Sequence, residues 1–155
     1  MKYKLTKNKK TIGDVTLYQI EALKDFSDIK KGDLGGWIEK ESNLSHRGDC
    51  WVSGSAMVCD NAQVSSNAMV SGNAIVSGNA RVSGNAIVSG NARVSGNARV
   101  FGNARVSDNA WVFGNARVSG NAWVSGSAQV SGNARVFGNA RVSGNAWVSG
   151  NVIIN

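Results

Sequence analysis

Apolar residues are placed along this chain in two different ways. From Val52 to Val148 a valine returns at every sixth position without a slip, seventeen times, and eight of the hexads read Val-Ser-Gly-Asn-Ala-x, with the rest close variants of it. Side chains alternate between the two faces of a strand, so the pattern resolves slot by slot. Valine is the large inward residue and the alanine two places before it the small inward one. The slot between them points outward and holds Arg, Trp, Met, Ile or Gln. A second outward slot after the valine holds Ser or Phe in most hexads, and Gly-Asn then turns the chain with the two residue types that best tolerate left-handed backbone. A fixed period this short predicts an all-β, single-domain solenoid, three hexads closing a triangular coil of 18 residues. The seventeen hexads make between five and six coils.

Residues 1–50 lack the period, and we expect them to form an N-terminal capping segment ahead of a solenoid at 51–155. Thr16–Ile20 alternates like a strand. Glu21–Phe26 suits a short helical turn or loop, and Lys31-Gly32-Asp33-Leu34-Gly35-Gly36 reads as a turn. Trp37-Ile38-Glu39 resumes an extended course, and Leu44-Ser45 opens an imperfect hexad that falls into phase by Trp51-Val52. A cap is needed because a solenoid's first coil exposes strand edges and one end of the core. At the other end Val152, Ile153 and Ile154 are apolar. That end, or the early-coil face of Met and Ile, predicts a homo-oligomer.

A coil of 18 residues stacks residue i on i+18 and sorts the outward slots into three columns. One reads Gln63, Arg81, Arg99, Arg117, Arg135, Ile153, with Phe101 and Phe137 each two residues after an arginine of the row. The second reads Met57, Ile75, Arg93, Trp111, Gln129, Trp147, with Phe113 beside it. The third reads Trp51, Met69, Ile87, Arg105, Trp123, Arg141. Early coils therefore show Met and Ile, and later coils Arg, Trp and Phe.

Charge sharpens this picture. Of the formal +7, residues 51–155 carry seven arginines against Asp60 and Asp108, with no lysine. Guanidinium groups about 5 Å apart repel by roughly 0.8 kcal/mol per neighbouring pair even at the dielectric constant of water. A row of four invites an anionic partner: a protein surface, since Trp, Phe and Arg are what interfaces enrich, or nucleic acid, with phosphates on the arginines and bases on the aromatics. Solvated charge that protects a sheet is the plainer alternative. Catalytic chemistry is sparse. Residues 52–148 hold no His, Glu or Lys, His46 lies in the head, and no phosphate-cradling motif or metal-ligand spacing occurs. Cys50 fills an inward slot and Cys59 an outward one, two free thiols suited to a reducing compartment. No apolar run approaches the ~20 residues of a membrane span, so we expect a cytoplasmic protein with no cofactor and no metal.

The hexads resemble those of left-handed parallel β-helices, many of them acyltransferases, and it is this resemblance that implies a left-handed coil. The head stretches Thr16–Phe26, Gly32–Glu39 and Asn43–Ser45, followed by Asn-Ala-x-Val hexads, resemble a group of bacteriophage and prophage hexapeptide-repeat proteins often labelled acetyltransferases. That resemblance implies a phage-encoded accessory factor, and with the missing catalytic groups it gives the expected function. We expect a non-catalytic binding protein that inhibits a host defence protein or ribonucleoprotein, with direct nucleic-acid contact as the lesser alternative. The binding surface would comprise Arg81, Arg99, Arg117, Arg135, Phe101, Phe137, Arg93, Trp111, Phe113, Arg105, Trp123, Arg141 and Trp147. Acyl transfer and a structural role in a virion are the competing expectations.

Overall fold

The structure, a computed structural model, describes residues 1–155 and is a parallel β-solenoid preceded by a three-stranded head. Strands β1 (Tyr3–Ile12) and β2 (Val15–Ala22) form an antiparallel hairpin, and β3 (Leu34–Ile38) pairs antiparallel with β2 and parallel with the first solenoid rung beyond it. From β4 (Trp51–Val52) to β21 (Ile153–Ile154), two-residue strands recur every six residues and sort into three sheets, one per face of a triangular prism. No helix is long and apolar enough to cross a membrane.

Coil closure follows from the hexad. Each inward valine from Val52 to Val136 is essentially inaccessible, and so is each alanine from Ala56 to Ala134, giving one core of 39 residues that runs from Tyr3 in the head to Val148. Register is set by backbone bonds to the next coil, such as Arg99 N–H to Ala116 O at 2.9 Å and Phe101 N–H to Val118 O at 3.0 Å. At the corners the asparagine side chains form amide ladders, for instance Asn61→Asn79→Asn97→Asn115→Asn133→Asn151 with steps of 3.2–3.3 Å. The glycines beside them have φ near +65°, and a Cβ at Gly96 would meet the backbone nitrogen of Gly114 at 3.0 Å. Corners thus need glycine both for conformation and for close stacking.

Asp60 and Asp108 occupy this glycine position with φ of 57° and 58°. Each offsets the strain by accepting the N–H of the next coil, Gly78 or Gly126, on its carboxylate at 3.0 Å. The two repeat carboxylates are therefore corner staples.

In the head the structure departs from the sequence reading. β1 has no counterpart there, because its lysine-rich alternation carries little apolar signal. Glu21 and Ala22 continue β2, so the segment after Ile20 begins as strand, and no helix forms before Phe26. The stretch Leu34-Gly35-Gly36 is strand, not turn; the turn ends at Asp33. Its glycines answer to crowding. A Cβ on Gly35 would lie 2.6 Å from Val52 O and 2.7 Å from Ile20 Cγ1, and one on Gly36 would lie 2.7 Å from Val52 Cγ1. The solenoid is also longer than the seventeen valines indicate. One face carries seven parallel rungs, β3 being the first. Ile38 and Leu44 take inward positions six residues apart, pairing with Val58 and Val64 at an offset of 20 rather than 18. The two extra residues fall between Leu44 and Val52 and hide the first coil from a search for period six.

The head covers the open end of that coil with polar groups aimed at its carbonyls. Lys2 is buried, and its Nζ donates to Cys50 O at 2.7 Å, Gly48 O at 3.2 Å and Cys50 Sγ at 3.3 Å, with the Phe26 ring 5.0 Å away. Tyr3 Oη donates to Leu44 O and Glu41 O at 2.7 and 2.9 Å. Asn43 donates from its side chain to Ala62 O at 2.9 Å, where the repeats use a backbone N–H. Trp51 points out of the solenoid but is buried beneath Phe26 and Tyr3. At the far end Trp147, Val152 and Ile153 are exposed.

Urea unfolding checks the crowding argument. Gly35→Ala should lower stability by about 1–3 kcal/mol through overpacking. Gly13→Ala, at a hairpin turn with nothing within 4 Å of the added methyl, should cost no more than the roughly 1–2 kcal/mol of left-handed backbone.

Candidate functional site

The late-coil surface residues are divided among three faces that cannot meet one flat partner together. On the face that continues the head sheet, Arg93 pairs with Ile75 on one side and Trp111 on the other. Trp111 packs against Phe113 with ring centroids 4.7 Å apart and donates from Nε1 to Ser95 Oγ at 3.3 Å. Trp147 stands apart at the last rung. On the second face, Trp123 lies between Arg105 and Arg141, whose guanidinium carbons are 5.8 and 5.4 Å from its ring, and it donates to Ser107 Oγ at 3.1 Å. The positive charge of these two arginines already rests on an aromatic face.

The third face differs. Arg81, Arg99, Arg117 and Arg135 are direct register neighbours, all exposed. No carboxylate lies within salt-bridge distance of any of them: the ion pairs of the chain, Lys4–Glu21 and Lys30–Asp25, lie in the head, as does the approach of His46 to Glu41. Two shallow recesses open along the row. One, of about 270 Å³, is lined by Arg81, Ser83, Arg99, Phe101 and Arg117. The other, of about 230 Å³, is lined by Phe101, Arg117, Ser119, Arg135 and Phe137. Phe101 is 37% exposed, its ring forming a wall shared by both. Four cations are thus brought together with two aromatic rings and nothing to neutralise them.

The repeat that builds these faces matches a family model described as the YdcK beta solenoid repeat, in ten overlapping stretches that cover residues 62–126 and 128–155. The chain belongs to this family. It is similar to a protein of Escherichia coli (strain K12) named "Uncharacterized acetyltransferase YdcK", at 36% identity over 58 residues, which is 33% of this chain and 18% of that protein. The chain thus matches less than a fifth of that relative's length. The matched stretches include all four arginines of the third face.

Two further places hold reactive groups. His46 stacks on Tyr3 with centroids 4.2 Å apart, and its Nδ1 accepts the Lys2 backbone N–H at 3.2 Å. Its Nε2 therefore carries the proton; it is buried without a hydrogen-bond partner, 3.8 Å from Glu41 Oε2. The ring is held in the packing between head and first coil. Burial pushes the Tyr3 hydroxyl well above the usual tyrosine range, with the charge of Glu41 adding to it.

Sequence reasoning missed a recess of about 230 Å³ between the hairpin (Ile12, Val15, Leu17) and the Met57–Ile75 column, with Cys59, Asp60 and Ser77 at its side. No periodicity signals it, because it depends on where the hairpin folds back. Both cysteines are free. Burial raises the Cys50 thiol against the opposing pull of Lys2. The Cys59 thiol is pushed up to about 11, first by burial and then by Asp60 and Glu39. A raised thiol pKa leaves less thiolate at neutral pH, so alkylation of Cys59 should be slow at pH 8 and still climb beyond pH 9. A stopped-time iodoacetamide series read by mass spectrometry checks this; a rate that levels off below pH 9 contradicts it.

Proposed function

We propose that this chain is a non-catalytic binding module whose arginine face engages an anionic surface on a protein or nucleoprotein partner. The observation that carries this reading is the row Arg81–Arg99–Arg117–Arg135, four register neighbours with no acidic counterpart. An anionic ligand would supply the counter-charge the row lacks, and arginine rather than lysine suits bidentate and stacking contacts. The solenoid supports the role mechanically. Its outward slots ride on a core locked by backbone bonds at every rung, so association needs no ordering of the backbone and only the side chains have to settle. In the setting that the head's resemblance implies, the partner is a bacterial host protein or nucleoprotein and the outcome of binding is its inhibition.

Acetyl transfer is the second reading, favoured by the name of the E. coli relative. It would need a base within reach of an acceptor. The chain's one histidine lends its Nδ1 to the Lys2 backbone N–H and lies between head and first coil. A thermal shift with acetyl-CoA tests this reading directly.

The binding reading predicts that tagged protein retains a stoichiometric partner from bacterial lysate, and that Arg99→Glu with Arg117→Glu lowers its recovery at least tenfold while Arg93→Glu, on another face, leaves it unchanged. Recovery that is indifferent to all three substitutions would remove the arginine face from the function.

A further inference from the structure

The two recesses on the arginine face are copies of one another. Moving 36 residues along the chain, which is two coils, carries Arg81, Ser83, Arg99 and Phe101 onto Arg117, Ser119, Arg135 and Phe137. The face is therefore a tandem site. Each unit offers two guanidinium groups about 4.8 Å apart, one per rung, and one phenylalanine every second rung, at about 9.6 Å. No other face repeats in this way: its neighbours interleave Trp, Ile and Gln with single arginines.

We infer that this tandem site binds single-stranded nucleic acid, with phosphates on the arginines and bases stacked on the phenylalanines. The inference rests on the binding-module reading and names its ligand. The rings decide against other anions. Phe101 and Phe137 line the same recesses as the arginines, and an acidic peptide or helix meets the guanidinium groups but brings no flat group to those rings with each charge. A single nucleic-acid strand carries a phosphate and a base on every residue. Its backbone has many rotatable bonds and the long arginine side chains reach beyond their rungs, so strand and row can adjust to one another when the strand is drawn out. Drawing it out unstacks the bases and opens gaps between them, and that is the state in which a base can settle on Phe101 or Phe137. A duplex keeps its bases enclosed and offers these rings nothing. The serines leave room at alternate rungs for the bases that are not stacked. Sequence preference is not expected, since stacking is available to every base.

Fluorescence anisotropy with labelled oligothymidylate and oligouridylate of about eight nucleotides tests this, with a duplex of equal length and an oligoglutamate peptide as comparisons. The expected result is that a single strand binds tightest, with log Kobs against log salt falling at a slope of about −2.8, the value for four phosphates on a single strand. Arg117→Gln should reduce that slope by about 0.7. Phe101→Ala should weaken binding by roughly five- to hundredfold with the slope unchanged, as loss of one base–aromatic stack does. Both side chains face solvent, and circular dichroism verifies that each variant keeps the solenoid. Duplex or oligoglutamate binding as tight as the single strand overturns the inference, as does indifference to Phe101→Ala and Phe137→Ala together, or no binding at low salt. A nuclease-resistant complex that still depends on Arg99 and Arg117 would sink this inference and leave the binding-module reading standing.

Discussion

Every feature of this molecule depends on one repeated event, the pairing of a rung with the rung 18 residues on. It is the interaction that satisfies the backbone on all three faces, and along the repeats it rests on valine and alanine filling a core of constant cross-section. A larger inward residue in the middle coils would have to displace neighbours in a filled core, and a side chain at a corner glycine would press on the glycine of the next coil. The outward slots feel no such limit. Inward monotony and outward variety are thus two sides of the same constraint, and the second is where function can be written.

That division explains what could be read in the sequence. Inward residues are dictated by the core, so the solenoid, the three columns and the register of the arginine row were legible from spacing alone. The head was not. Its strands are held by pairwise fitting rather than by a period, with Gly35 and Gly36 chosen for the crowding of Val52 and Ile20, and Lys2 aimed at carbonyls 46 and 48 residues away. The first coil escaped notice because two additional residues between Leu44 and Val52 shift it out of phase. The grouping of candidate residues also exceeded what columns can tell. Spacing showed which residues share a face, while only side-chain geometry showed that Trp123 is taken up by its two flanking arginines and that Arg81, Arg99, Arg117 and Arg135 have no such relief.

Charge in the repeats is therefore partitioned by what neutralises it. Asp60 and Asp108 are occupied with corner N–H groups, and Arg105 and Arg141 lie over an indole. The four arginines of the third face have no such partner. A surface of this kind attracts anions from a distance, and its pull weakens as salt rises. The head adds a different chemistry: an apolar recess flanked by a thiol, built by packing and distant from any repeat logic.

The asparagine ladders and glycine corners carry a consequence for how such a chain can change. Because every coil is joined to the next through the same bonds, duplicating 18 codons inserts one complete rung on each face and leaves all existing contacts intact. Thirty-six codons would add a whole unit of two arginines and one phenylalanine. Length of the binding face is thereby a quantity that recombination can adjust in fixed steps, without the core having to be redesigned at any of them.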